Sequence, residues 1–134
     1  MSSPFFSILL PTKNRSEIVG GAVESALGQT FPDYELIVSD NDDSPTATAA
    51  VLSRYRDPRV RYCRTSGKLP MHENWENAYR QASGEHVLVL EDKMRLVPNA
   101  LEILHHYASR EAVPISYPVT FATGESIPAP RVLP

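Results

Sequence analysis

Three short polar clusters hold the side chains best suited to chemistry in this chain: Thr12-Lys13-Asn14-Arg15, Asp40-Asn41-Asp42-Asp43 and Glu91-Asp92-Lys93. Each follows an apolar run. Carboxylates, cations and hydroxyls gathered in this way suit a ligand that is both phosphorylated and rich in hydroxyls, as a nucleotide sugar is. Its base needs a planar slot and hydrogen-bonding groups of fixed geometry, and its ribose needs a carboxylate acceptor. Its diphosphate needs cations, or a metal held by one or two carboxylates. Asp40 is placed to accept from a base N–H, and Asp92 from ribose hydroxyls. Lys93, Arg15 and Lys68 are the candidate cations. Polar loops cap strands in any α/β protein, so the weight lies in the joint placement of the three clusters.

The elements that must position these clusters read as alternating strands and helices. That pattern predicts an α/β fold: an open, mostly parallel sheet with helices on both faces. Phe5 to Leu10, Tyr34 to Ser39, Arg59 to Arg64 and His86 to Leu90 are the expected strands. Ser16 is the expected cap of a first helix, with Ile18, Val19, Ala22, Val23, Ala26 and Leu27 at helical spacing. Gly20 and Gly21 weaken that helix and allow close packing on the sheet. Ser44-Pro45 opens a second helix through about Tyr55. Met71, Trp75, Ala78, Tyr79 and Ala82 form the stripe of a third, closed by Gly84. Pro98 opens a fourth, with Leu101, Leu104, Tyr107 and Ala108 on one face. In such a sheet ligands bind beyond the carboxyl ends of the strands, where all three clusters fall.

A chain of 134 residues suffices for one compact domain. The expected division is a binding domain over 1–110, then an edge strand and extended tail over 111–134. In the latter, Pro114 and Pro118 confine Val113–Val119 to an edge or bulge. A net charge of −3 gives no basic field for nucleic acid. The run Arg54, Arg56, Arg59, Arg61 and Arg64 reads as arginine along one side of a strand. Cys63, the single cysteine, excludes an internal disulfide and reads as a small core residue. Without a signal pattern or a spanning apolar run, a cytoplasmic location is expected, with no membrane span. Met71 and Trp75 read as core. His105 and His106, being adjacent, read as surface residues rather than a metal pair, and His72 as a capping or solvent-facing residue.

At this point the residues resemble a known family. Ser7-Ile8-Leu9-Leu10-Pro11-Thr12-Lys13-Asn14-Arg15 resembles the opening strand and loop of family 2 glycosyltransferases. The segment from Glu24 to Asp40 is similar to that family's next helix and strand. Asp57 to Tyr62 is similar to its third strand, Asn74 with Ala78 and Gly84-Glu85-His86-Val87 to the approach to the fourth, and Pro98 to Glu102 to the helix after the site. The likeness covers about residues 5 to 108. It implies a GT-A, Rossmann-like nucleotide-binding half acting on a nucleoside diphosphate sugar, UDP-linked by preference, and a hydroxyl acceptor. By the same resemblance Pro11, Thr12 and Arg15 line the base and ribose pocket, and Asp40 holds the base. Asp43 shapes the loop beside it, Asn74 sits near phosphate or ribose, and Asp92 lies against ribose and metal.

The chain also departs from the family pattern. The next acidic residue of the family's motif is the usual ligand of Mg²⁺ or Mn²⁺, and that position here is Lys93. An ammonium offers no lone pair. Two readings stand: Lys93 replaces part of the metal's charge against the diphosphate, or Asp92 with Glu91 still holds a metal. The family's acceptor half normally follows, with a carboxylate general base. Only Glu111 and Glu125 are acidic after Arg110, and neither fits. The expectation is therefore a glycosyltransferase or its donor-binding part, against a non-catalytic binding module or remnant. An unfinished sheet edge would favour self-association. A phospho-acceptor domain, the third class, needs an acidic pair after the first strand, where Thr12-Lys13-Asn14-Arg15 stands.

Overall fold

The computed structural model describes residues 3–108 and the backbone of 119–121. Strands β1 (Phe6–Thr12), β2 (Tyr34–Asp40), β3 (Val60–Arg64) and β4 (His86–Val89) form one sheet in the order β3-β2-β1-β4. All three pairings are parallel. Helices α1 (Val19–Leu27), α2 (Ala47–Leu52), α3 (Met71–Arg80) and α4 (Ala100–Ala108) connect or follow them. A short antiparallel pair, β5 (Met94–Leu96) with β6 (Val119–Phe121), stands apart from the main sheet.

The two central strands, β1 and β2, are buried at every position, which is why they read as continuous apolar runs rather than alternating ones. Their side chains still alternate between two layers. Ile8, Leu10, Leu36 and Val38 meet Val19, Ala22, Val23 and Ala26 of α1, Val51 and Leu52 of α2, and Leu101 and Leu104 of α4. Leu9 and Ile37 face the other way onto Ala78 of α3. Pro11 is tolerated inside β1 because its nitrogen points to the β4 side. Leu9 gives its carbonyl to Leu90 there, and β4 no longer runs alongside two residues later.

One buried carboxylate ties the sheet together below the site. Glu35 accepts from the Ser7 hydroxyl at 2.6 Å, from the Ser83 backbone N–H and hydroxyl at 2.7 and 2.9 Å, and from Arg61 at 2.7 Å. Burial alone would raise its pKa, yet these four donors hold it down at about 2. At the amino-terminal ends of the strands, Phe5, Phe31 and His105 stack with ring centroids 4.6–6.0 Å apart.

Several sequence expectations are corrected. Helix α1 begins at Val19, not beside Ser16. Arg15 turns the chain by accepting from both Ile18 and Val19, so Ile18 lies outside the apolar stripe and is exposed. A Cβ on Gly20 would meet the Tyr55 hydroxyl and one on Gly21 the Arg95 guanidinium, so these glycines make room for side chains rather than for the sheet. Helix α2 ends at Leu52, short of Tyr55, although the Ser44 hydroxyl does accept from the N–H groups of Thr46 and Ala47. The stripe of α3 is rotated: Asn74 and Ala78 are buried, whereas Met71 is 74% and Tyr79 60% exposed. Gly84 does not cap α3; its missing side chain lets the backbone press on Ser7 and Phe6 of β1. Arg61 and Arg64 leave β3 on opposite faces, each to a carboxylate. Cys63 is half-buried, not core, and His105 is packed rather than a surface residue. The reading of residues 113–118 and of the tail from Thr123 lies outside the described residues.

Candidate functional site

The carboxyl ends of β1 and β4 open onto a cleft of about 520 Å³. One wall is the loop after β1, Pro11 to Arg15. The floor is Glu91, Asp92 and Lys93 beyond β4. The far wall is Asn41 after β2, with Leu69, Pro70, Met71, Asn74 and Trp75 around the start of α3. The volume is in the range of sites that enclose small organic ligands.

Asp92 organises the floor. Its carboxylate accepts from the Thr12 hydroxyl at 2.8 Å, and Arg15 stands 3.6 Å from its other oxygen. Burial raises the Asp92 pKa, opposed by the Thr12 hydrogen bond and the Arg15 charge. A raised carboxyl loses its charge at a higher pH than an ordinary one. A ligand that needs the ionised form to receive hydroxyl hydrogen bonds should therefore weaken as pH falls toward that value. A nucleotide whose ribose donates to Asp92, with UDP as the probe, is expected to bind more weakly on acidification above the ordinary carboxylate range. In Asp92→Asn that decline should vanish, along with part of the affinity at neutral pH; titration calorimetry across pH checks both.

Buried bonds fix the walls. Asn74 accepts from the Ser39 hydroxyl at 2.7 Å and donates to the Thr12 carbonyl at 3.3 Å, so one amide N–H remains free of these bonds. Asn41 accepts from the Thr65 hydroxyl and the Leu69 N–H and donates to the Leu69 carbonyl at 2.8 Å. It thereby holds the loop from Thr65 to Pro70 in place as a wall. That loop turns at Gly67, where φ is +82° and a Cβ would lie 2.7 Å from the Asp42 carbonyl.

The structure brings together Pro11, Thr12, Arg15, Asn74, Asp92 and Lys93. Three other expected residues lie elsewhere. Asp40 is in register with Thr12 but fully buried. Its oxygens receive the Tyr62 hydroxyl, the Asp42 N–H and Arg64. Asp43 is exposed and pairs with Asn14. Lys68 is exposed and does not line the cleft, although its neighbour Leu69 does. Asn41 lines the cleft from within the Asp40–Asp43 cluster without having been given a role, and Leu69, Pro70, Met71 and Trp75 were missed, the last two because apolar spacing assigned them to the core.

Two carboxylates and three cations line the same cleft. Among the described residues no three His, Cys, Asp or Glu side chains gather. The two carboxylates of the cleft, Glu91 and Asp92, share it with Lys13, Arg15 and Lys93.

The model of "Glycosyl transferase family 2" matches residues 7–130. The chain belongs to glycosyl transferase family 2. This family 2 domain is 34% identical over 108 residues to the GalNAc(5)-diNAcBac-PP-undecaprenol beta-1,3-glucosyltransferase of Campylobacter jejuni, covering 79% of this chain and 35% of that protein. Its fold matches S. aureus TarS 1-349 in complex with UDP-GlcNAc with a TM-score of 0.72 at 22% identity, over 82% of this chain and 32% of that one. It also matches the mannosyltransferase PcManGT of Pyrobaculum calidifontis, in complex with GDP-Man and Mn²⁺, with a TM-score of 0.74 at 17% identity. There the coverage is 86% of this chain and 35% of the other. The fold is thus that of GT-A glycosyltransferases, and the chain spans about a third of the length of these relatives. No helix among the described residues is long and apolar enough to cross a membrane.

Proposed function

We propose that the cleft binds the nucleoside diphosphate of a sugar donor, UDP-linked, for transfer of the sugar to a hydroxyl acceptor. The observation that carries this reading is the joined set Thr12, Asp92 and Arg15, which links the tips of two parallel strands around one carboxylate. Asp92 accepts from ribose hydroxyls. Arg15, Lys13 and Lys93 face the diphosphate and stabilise the charge that grows on it as the sugar leaves. In this role they supply the charge that a metal would otherwise bring. Asn74 adds an N–H donor. Trp75, Leu69 and Pro70 give a flat apolar wall for the base or sugar. The relatives support the substrate class: TarS is a UDP-GlcNAc complex, and the Campylobacter protein is a glucosyltransferase.

Because the chain covers about a third of those relatives, a donor-binding part without full turnover is a second reading with an observation behind it. One set of measurements tests both. In EDTA, UDP at 100 times its dissociation constant should stabilise the fold by about 2.7 kcal/mol, with GDP and ADP giving less. Absence of any shift with nucleoside diphosphates would sink the donor reading. A shift accompanied by slow UDP-sugar hydrolysis indicates an enzyme. A shift without it indicates a binding part.

A further inference from the structure

We infer that Asn14 is a positioning residue, which aims Lys13 and Arg15 at the donor diphosphate by latching the loop after β1 onto the loop after β2. The inference rests on the donor reading above. Asn14 has φ +54° and is the single non-glycine residue with positive φ among the described residues. Asparagine tolerates that left-handed conformation better than most side chains. Three hydrogen bonds hold it there. Its backbone N–H donates to Asp42 Oδ1 at 2.5 Å. Its side-chain Nδ2 donates to Asp43 Oδ2 at 3.0 Å, and its Oδ1 accepts from the Asp43 backbone N–H at 2.9 Å.

The far side of the latch is firmly seated. Asp42 is buried, and its second oxygen accepts from Thr48 at 2.5 Å. Its N–H donates to Asp40, and its carbonyl accepts from Arg64. The near side is otherwise loosely held, because Lys13, Asn14 and Arg15 are all exposed. Lys13 and Arg15 flank Asn14 directly, and both line the cleft. Long cationic side chains lose much conformational freedom on binding. Fixing the backbone between them reduces what remains to be ordered when the diphosphate arrives. The oxygen and one N–H of the Asn14 amide are engaged with Asp43.

The test compares UDP with uridine by titration calorimetry for the intact chain and for Asn14→Ala, Asn14→Gly, Asp43→Ala and Asp43→Asn. Asn14→Ala should weaken UDP about tenfold and leave uridine within about twofold, because the latch acts on the phosphate-facing cations alone. Asn14→Gly keeps the left-handed backbone but loses the side-chain bonds, and should fall between. Asp43→Ala should weaken UDP, whereas Asp43→Asn keeps an acceptor for Asn14 and should bind as the parent does. The uridine arm and the thermal midpoint report the fold independently. Equal UDP affinity in parent and Asn14→Ala would overturn the inference, as would parallel losses of UDP and uridine. If the parent chain binds neither ligand, the donor reading itself fails and takes the latch with it. Binding by the parent with no selective loss in the variants overturns the latch alone.

Discussion

The Lys93→Asp variant is expected to bind UDP about a hundredfold more weakly than the parent in EDTA, and to regain at least about tenfold on addition of Mn²⁺. The substitution exchanges a cation for an anion on the floor of the cleft, beside Asp92 and Glu91. Near a protein surface, unit charges about 4 Å apart interact by roughly 4 kcal/mol before salt screening. Reversing one charge next to a diphosphate therefore outweighs any change in packing at this exposed position. The same substitution removes a cation and adds a third carboxylate beside Glu91 and Asp92, the oxygen-rich surroundings that Mg²⁺ and Mn²⁺ prefer. In the parent chain, EDTA and Mn²⁺ should leave UDP affinity within about twofold of each other. A parent that loses UDP on chelation would show that a metal, not Lys93, balances the diphosphate.

The Glu35→Gln variant is expected to lose about 3 kcal/mol of stability at neutral pH, a drop of roughly 10 °C in Tm. The loss should fade on acidification. Glu35 is held at about 2, against an ordinary 4.5. A depressed carboxyl contributes its full stabilisation above the unfolded value and loses it as pH falls through the folded one. The parent and variant curves should therefore run parallel above pH 4.5 and converge between 4.5 and about 2. The cause is geometric. The carboxylate collects donors from β1, β3 and the Ser83 turn, and a neutral amide presents an N–H to one of them. Thermal melts at several pH values check this, and a constant difference down to pH 2 would refute the assignment.

The two predictions differ in what made them visible. The charge proposed for Lys93 is legible in the sequence, because it depends on residue type at a strand end. The role of Glu35 was not, because its donors come from positions 7, 61 and 83 and meet only when three strands pair. The same divide runs through the site. Thr12, Arg15 and Asp92 could be read from their place after apolar runs. That Asn41 borders the cleft could not, since Asp40 and Asn41 are both buried and only the packing of the loop from Thr65 to Pro70 against Asn41 sets it at the wall. Trp75 and Met71 were misplaced for a similar reason. Helical spacing reports a stripe but not which stripe faces the sheet, and on α3 the core positions are held by Asn74 and Ala78.

By itself, then, the sequence determined the order of strands and helices, the parallel sheet and the set of polar loops at one end of it. Those follow from local propensity, periodicity and the burial that continuous apolar runs require. Tertiary structure alone decided which carboxylates are open to a ligand and which are spent on the protein. Asp40, Asp42 and Asp92 are the same residue type at equivalent strand ends. Only the distant donors that reach them, Tyr62, Arg64, Thr48, Thr12 and Arg15, set them apart.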